Sequence, residues 1–317
     1  MSDRPSILIT GAGGYVGRAV VRALAALDAR VHIVATDLAL PPDDRRVPEV
    51  DYRVGDVCSD SLLELMAEVR PRTVVHLASI VTPGKDTTRD AQHAVDVDGT
   101  ARVLRGCVAY EVEQIIVTSS GAAYGYHADN PQPLVESDPL RGNEAFAYSD
   151  HKRLVEEMLA HYRVVHPELK QLVFRPGTIL GSGTRNQITR LWDGKSILGF
   201  TGTTTPYVFI WDEDVVACIV KGVVECSSGI YNLAGDGTMT SEEIARKLGK
   251  RYVALPVVLV KAALLLGKAF GLSAYGPEQT MFLQYRPVLS NEKLKREFGY
   301  TPKKTTREVF DYYAASR

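Results

Sequence analysis

The stretch from Ser6 to Asp37 constrains the fold more than any other part of the chain. It reads as a short apolar strand (ILIT), a turn carrying Gly11, Gly14 and Gly17 at G-x-x-G-x-x-G spacing, an amphipathic helix (RAVVRALAAL), and a second strand (RVHIVATD) ending in Asp37. Glycines at these points permit a tight turn and let a diphosphate approach backbone N–H groups and the positive end of the helix, with Tyr15 and Val16 in its first turn. Asp37 is placed to accept hydrogen bonds from the hydroxyls of an adenosine ribose and to repel a 2′-phosphate. NAD is therefore expected rather than NADP, and the basic pair Arg45-Arg46 comes too late to clamp a phosphate. A turn needed only for packing would not call for strand, turn, helix, strand and acid in that order.

Beyond Asp37 the alternation continues. VDYRVGD leads to a helix over residues 61–69 and then to RTVVHLAS; a helix over 94–110 precedes QIIVTSSG, and HKRLVEEMLAHYRVVH precedes LKQLVFRPG. The strands are unbroken Val/Ile/Leu runs, which is the pattern of a parallel sheet covered on both faces. The expectation is an α/β chain with a doubly wound parallel sheet. After Arg175-Pro176-Gly177 the alternation weakens, and residues 178–206 read as one helix between long loops. YVFI, the helix DEDVVACIVKGVVE and GIYNLAGDG look like a return to the main sheet, after which Thr240/Glu243 and Thr305/Glu308 are capping boxes. The division expected is 1–177 with 207–239 as the dinucleotide-binding domain, 178–206 with 240–304 as a smaller discontinuous substrate domain, and 305–317 as a terminal helix.

Composition narrows the partners. Lys+Arg number 37 against 38 Asp+Glu, so no basic excess is available for nucleic acid. The four cysteines, Cys58, Cys107, Cys218 and Cys226, lack the spacing of a zinc or redox site and read as reduced residues of a cytoplasmic protein. Ile7 is reached with no apolar targeting segment before it. No metal site and no integral membrane contact are expected. The apolar run from Pro256 to Leu272 is interrupted by Lys261 and Lys268 and is too short to span a bilayer. As a helix over 257–270 it could be small-domain core, a lid over an apolar substrate, a dimer contact or a membrane-touching patch.

Tyr148 and Lys152 in YSDHK stand at i and i+4, on one face of a helix. The preceding strand ends in TSSG, offering Ser119 and Ser120 from the carboxyl edge where ligands of open parallel sheets collect. A tyrosine, with a pKa near 10, can act as a base near neutrality only if cations hold its phenolate; Lys152 and an oxidised nicotinamide would supply two.

Taken together, TGAGGYVG, Asp37, GDV at 55–57, HLAS at 76–79, DVDGT at 96–100, TSSGAAYG at 118–125, YSDHK, RPG at 175–177 and FGYTP at 298–302 resemble the extended short-chain dehydrogenases/reductases of the NAD-dependent epimerase/dehydratase group. The resemblance implies a Rossmann fold, NAD and a homodimer through the helices near 94–110 and 148–165. It makes Tyr148 the catalytic tyrosine, Lys152 the lysine that also holds the nicotinamide ribose, and Ser120 the hydroxyl that orients the reacting oxygen. Ser119 stands beside it at the strand end. Leu77, Ala78 and Ser79 match the loop under the cofactor, and Arg175 and Pro176 lie near the carboxamide. Asp56, followed by Val57, would cap the adenine amino group or, alternatively, a helix.

Three departures from the family pattern bear on the chemistry, the first on a cofactor-domain or helix-tethering hydrogen bond and the other two on the substrate. Asp96 stands where the family usually has Asn. Gly121-Ala122 follow Ser120 where dehydratases carry an acidic pair, and Thr203 to Pro206 replace a diphosphate-gripping arginine before YVFI. Ala122 and Arg185 become the expected substrate contacts, with Arg190 a possible substitute for the missing guanidinium. On the last two departures, and because a helix over 257–270 could place an apolar face over the cleft, the expected activity is hydride transfer between NAD and a secondary alcohol or ketone on an apolar scaffold. The alternatives are a UDP-sugar 4-epimerase with tightly held NAD and, in another class, an NAD-responsive binding protein.

Overall fold

The computed structural model describes residues 5–27, 31–84, 86–203, 206–270, 276 and 279–317. Its strands are β1 (Ser6–Thr10), β2 (His32–Asp37), β3 (Asp51–Val54), β4 (Thr73–His76), β5 (Gln114–Thr118), β6 (Lys170–Pro176), β7 (Thr178–Leu180), β8 (Ser196–Phe200), β9 (Phe209–Trp211), β10 (Gly229–Leu233) and β11 (Arg251–Leu255). The helices are α1 (Tyr15–Ala25), α2 (Ser61–Val69), α3 (Arg89–His93), α4 (Gly99–Ala109), α5 (Ala147–Val165), α6 (Gln187–Arg190), α7 (Asp212–Val224), α8 (Ser241–Lys247), α9 (Val257–Ala269), α10 (Gln279–Gln284), α11 (Glu292–Arg296) and α12 (Thr306–Ala315).

Seven strands form one sheet in the order β3-β2-β1-β4-β5-β6-β10, and the pairings from β3 through to β6 are parallel. This is the doubly wound Rossmann sheet. The chain winds outward from β1 to β3 and then returns to β4 on the other side of β1. In register, Thr10 lies beside His76, so Gly11 and Leu77 leave neighbouring carboxyl ends where the winding reverses. A cleft for a ligand opens at such a point. Apolar strands need cover, and on one face Leu62 and Met66 of α2, Val103 and Leu104 of α4, and Val155 and Leu159 of α5 supply it against Leu8, Val74, Ile115 and Val173.

The helix expected over 94–110 begins earlier. α3 and α4 are joined by a π-helical turn at Ala94–Asp98, which carries Asp96. Such wide turns are frequent at functional sites.

The chain divides into two compact units, residues 1–120, 151–175 and 213–231 in one, and 121–150, 176–212 and 232–317 in the other. The core of the second is aromatic: buried Trp192 has Tyr207, Phe209, Phe310 and Tyr313 at centroid distances of 5.7, 5.8, 5.3 and 5.7 Å. The capping boxes at Thr240/Glu243 and Thr305/Glu308 are formed as the sequence predicts.

Two sequence expectations are corrected. Residues 178–206 hold the expected helix, the four-residue α6, but what flanks it is not loop alone, since strands β7 and β8 lie there; Thr204 and Thr205 lie outside the described residues. YVFI does not rejoin the main sheet, although GIYNL does as β10: its residues from Phe209 form β9, which pairs with β7 in a separate two-stranded sheet. The physical reason is a change of partner past the end of β6. The Gly177 N–H still donates to Leu233 O at 2.9 Å, but the Thr178 N–H turns to Val208 O at 3.2 Å.

The apolar run does form a helix, α9, but Val258, Leu259, Leu265, Leu266 and the following Phe270 are exposed, which removes the core reading. Among the described residues no helix is long and apolar enough to cross a membrane.

Candidate active site

The glycine turn is built for close approach. Gly11 has φ +68°, and a Cβ there would lie 2.5 Å from Ala78 N and 2.7 Å from the Leu77 carbonyl carbon. At Gly17 a Cβ would lie 2.2 Å from Gly11 O, so the helix can sit this close to the turn only with glycine. Gly14, exposed, is the N-cap of α1 and brings no side chain to the helix end, and no acid occupies the first turn. Tyr15 is exposed and Val16 half-buried. The open amides and positive helix end suit a diphosphate.

Asp37 is fixed over this turn. Its Oδ2 accepts from the Gly13 N–H at 2.8 Å and its Oδ1 from the Leu38 N–H at 2.8 Å. Gly13, which the G-x-x-G-x-x-G reading passes over, thus holds the acid in place. The signal was the doubled glycine. Asp56 accepts from the Cys58 N–H at 2.8 Å, ordering the turn before α2, and Val57 is buried beside Gly99, whose Cβ would meet Val57 Cγ2 at 2.8 Å. Leu77, Ala78 and Ser79 run on from β4 half-buried. The Ser79 hydroxyl is buried with no hydrogen-bond partner among the described residues. An orphaned hydroxyl beside a cradle that a Cβ would fill is what a loop beneath a bound dinucleotide leaves when protein atoms alone are counted.

At the far side of the sheet centre, Lys152 is 6% exposed and donates through Nζ to Thr118 O at 3.2 Å, which anchors the ammonium to the end of β5. Tyr148 stands one turn earlier on the same helix, half-buried. Ser149 Oγ donates to Ala122 O at 2.6 Å, so Ala122, itself buried, helps to hold the start of α5. Ser120 is 9% exposed at the end of β5. Ser119 turns the other way and donates to Glu156 Oε1 at 2.6 Å. The Glu156 carboxylate also takes Arg175 Nη2 at 2.6 Å and Nε at 2.8 Å, both side chains being 4% exposed. Arg175 is thereby committed to a buried ion pair behind the strand ends, and Pro176 is buried next to it.

Beneath the lysine lies His76. Thr100 donates its hydroxyl to Asp96 O at 2.6 Å, so its oxygen can only accept from His76 Nε2 at 3.0 Å; Nδ1 is then left to accept from Thr10 Oγ1 at 2.7 Å. Burial, with help from the Lys152 charge, depresses the His76 pKa to about 3, and the ring is neutral. Asp96 accepts from the Ile80 N–H at 2.9 Å, and its second oxygen lies 3.6 Å from His151 Nδ1, both side chains 1% exposed. Burial lowers the His151 pKa, against the opposing pull of Asp96.

In the second unit the structure supplies a cation that sequence reading missed. Arg185 and Arg190 are both exposed. Arg286 is instead 7% exposed, with its guanidinium carbon 3.7 Å from the Tyr207 ring centroid and 5.3 Å from that of Phe282. Its Nε has no hydrogen-bond partner, and no carboxylate acts on it among the described residues. Burial lowers its pKa. Phe282 packs edge-on to Tyr126 at 5.3 Å and tilted against Phe146 at 5.8 Å. Tyr126 feels both neighbours that matter: burial first and then Tyr148 raise its pKa, while Arg286 opposes them. No sequence spacing announces this set, because its members come from positions 126, 146, 207, 282 and 286.

Comparison with known proteins decides the family. The family model described as NAD dependent epimerase/dehydratase matches residues 7–234. The chain belongs to this family. It is an NAD-binding Rossmann enzyme, and NAD is its cofactor. Among relatives of this family, the UDP-glucose 4-epimerase of Erwinia amylovora is 28% identical over 64% of this chain and 60% of its own. The decarboxylating sterol-4-alpha-carboxylate 3-dehydrogenase of Saccharomyces cerevisiae is 22% identical over 96% of this chain and 95% of its own. A solved structure, the Thermus thermophilus UDP-glucose 4-epimerase with NAD, superposes with TM-score 0.73 at 20% identity, covering 98% of each chain.

Proposed function

We propose that this enzyme is a nucleotide-sugar 4-epimerase that keeps its NAD. The observation that carries the reading is Arg286, a buried guanidinium with no acidic partner among the described residues, stacked on the rings of Tyr207 and Phe282, the second of which packs edge-on to Tyr126. A buried unpaired cation is costly in a protein that gains nothing from it. A diphosphate would supply the missing counter-charge, and the flanking rings would receive a sugar or base face. The expectation of an apolar scaffold rested on a missing arginine before YVFI, on Gly121-Ala122 in place of an acidic pair and on the apolar run over 257–270; Arg286 answers the first with a guanidinium from another part of the chain, and the epimerase relatives favour the same revision.

NAD, when bound, supplies the hydride acceptor at C4 of the sugar and then the donor. Tyr148 would take the hydroxyl proton as the hydride leaves and return it when the hydride comes back to the opposite face, so no proton or electron is lost over the cycle. Lys152, held at Thr118 O, would favour the tyrosinate by its charge, and Ser120 would orient the sugar oxygen. Gly11, Gly14, Gly17 and Asp37 would hold the diphosphate and adenosine ribose of NAD.

One observation favours the second reading, an NAD-dependent dehydrogenase of an apolar alcohol: the long apolar α9, together with the sterol dehydrogenase relative that spans nearly the whole chain. Product formation separates the two. Protein incubated with UDP-glucose and no added NAD should yield UDP-galactose by NMR. Arg286→Met should weaken UDP binding at least about 30-fold, since truncating one partner of a buried charge pair costs about 2 kcal/mol or more. No epimer, together with net NADH from added NAD and a cyclic apolar alcohol, would establish the dehydrogenase instead.

A further inference from the structure

α9 turns an unusual face to solvent. Val258 is 76% exposed, Leu259 61%, Leu265 59%, Leu266 58% and Phe270 74%. At 100° per residue these positions, with Ala262 and Ala263, fall within an arc of about 160°, and Lys261 borders it. Single exposed leucines are ordinary, but a contiguous apolar face of this size on one helix marks a contact surface. β11, which leads into the helix through Pro256, continues the pattern: Arg251, Val253 and Leu255 share one side of the strand, with Arg251 and Leu255 exposed.

The charge along the segment that carries this face is one-sided. From Ile244 to Pro277 the sequence holds Arg246, Lys247, Lys250, Arg251, Lys261 and Lys268 and no acidic residue, within a chain whose net charge is −1. Arg246 and Lys247 are neutralised by Glu242 and Asp311, and Lys250 donates to Trp192 O. Arg251 and Lys261 are exposed and have no carboxylate partner among the described residues. We propose that α9 docks this enzyme on the surface of an anionic lipid bilayer, with the Val/Leu/Phe face in the acyl boundary and Arg251 and Lys261 at the headgroups. At thirteen residues the helix is about 20 Å long, too short to cross the ~30 Å hydrocarbon layer and suited to lying in its interface. A second copy of the chain is a poorer occupant. A two-fold contact through α9 would set each Lys261 against a segment with no acid to meet it. The proposal is independent of the substrate reading.

Co-sedimentation of the full chain with vesicles tests it. Vesicles of phosphatidylcholine with about a third phosphatidylglycerol should carry down the protein, and plain phosphatidylcholine vesicles should carry down at least fivefold less. High salt should reduce the difference, because headgroup attraction is screened. Leu259→Glu/Leu266→Glu should abolish binding, and Lys261→Glu should weaken it severalfold, while both variants keep the wild-type urea midpoint and NAD affinity. Equal partitioning of wild type and Leu259→Glu/Leu266→Glu would overturn the proposal. So would a wild-type dimer in sedimentation velocity that Leu259→Glu/Leu266→Glu converts to monomer without any vesicle binding, since the face would then be covered by a second copy.

Discussion

At the scale of single residues, His76 links the fold to pH. Its folded pKa of about 3 lies below the ordinary imidazole value near 6.5. Above about pH 6.5 the ring is neutral in both states and contributes no pH dependence. Below it the unfolded chain binds a proton that the folded one refuses, so stability falls by up to about 1.4 kcal/mol per pH unit as pH drops toward 3. His151, also depressed by burial, acts in the same sense. Urea midpoints for wild type and His76→Gln at about pH 7 and pH 5 should show a shallower pH slope in the variant. Identical slopes would contradict a neutral buried imidazole. The glycine turn and Asp37 were legible in the sequence because their geometry is local, set by spacing within thirty-odd residues. Arg286 was not, because its meaning lies in rings contributed from Tyr207 and Phe282 rather than in its neighbours along the chain.

At the scale of elements, the π turn between α3 and α4 sets Asp96 where its carboxyl reaches the Ile80 N–H on the loop after β4. The other oxygen is buried without a hydrogen bond and faces a histidine whose ring nitrogens are also unpaired. Asp96→Asn keeps the acceptor for Ile80 and offers an amide N–H to neutral His151 Nδ1. It should raise stability by about 1 kcal/mol, whereas Asp96→Leu should lower it by about 1–3 kcal/mol by orphaning the Ile80 amide. A urea midpoint for Asp96→Asn below that of wild type would contradict this account of the pair. All seven strands of the main sheet were legible, and the one misreading was to add YVFI to them. Unbroken apolar runs state that a strand is buried, not which neighbour it pairs with, so YVFI and GIYNL looked alike. The backbone hydrogen bonds past Gly177 distinguish them. The short strands β7 (TIL) and β8 (SILGF) were illegible because apolar runs of only two residues, set in a Gly- and Thr-rich stretch, carry no period of their own.

At the scale of the whole molecule, a balanced net charge conceals a basic, apolar segment after Glu243, and composition therefore said nothing of α9's surroundings. The run of leucines was plain; its exposure is a property of the folded chain alone. The doubly wound sheet and the family were legible because many short motifs agree along the entire chain, each weak by itself. The proposed substrate was not, since Arg286 gains the rings of Tyr207 and Phe282 only in the folded chain. The central claim is that a hydride leaves C4 of a nucleotide sugar and returns to that same carbon without leaving the enzyme. It is tested by turning over UDP-glucose deuterated at C4 in the presence of excess unlabelled NADH. The account predicts UDP-galactose that keeps the deuterium at C4, with no label in the free NADH and no product from Tyr148→Phe. Label lost to the free cofactor pool, or no galactose epimer from an enzyme that reduces NAD with another alcohol, would contradict it.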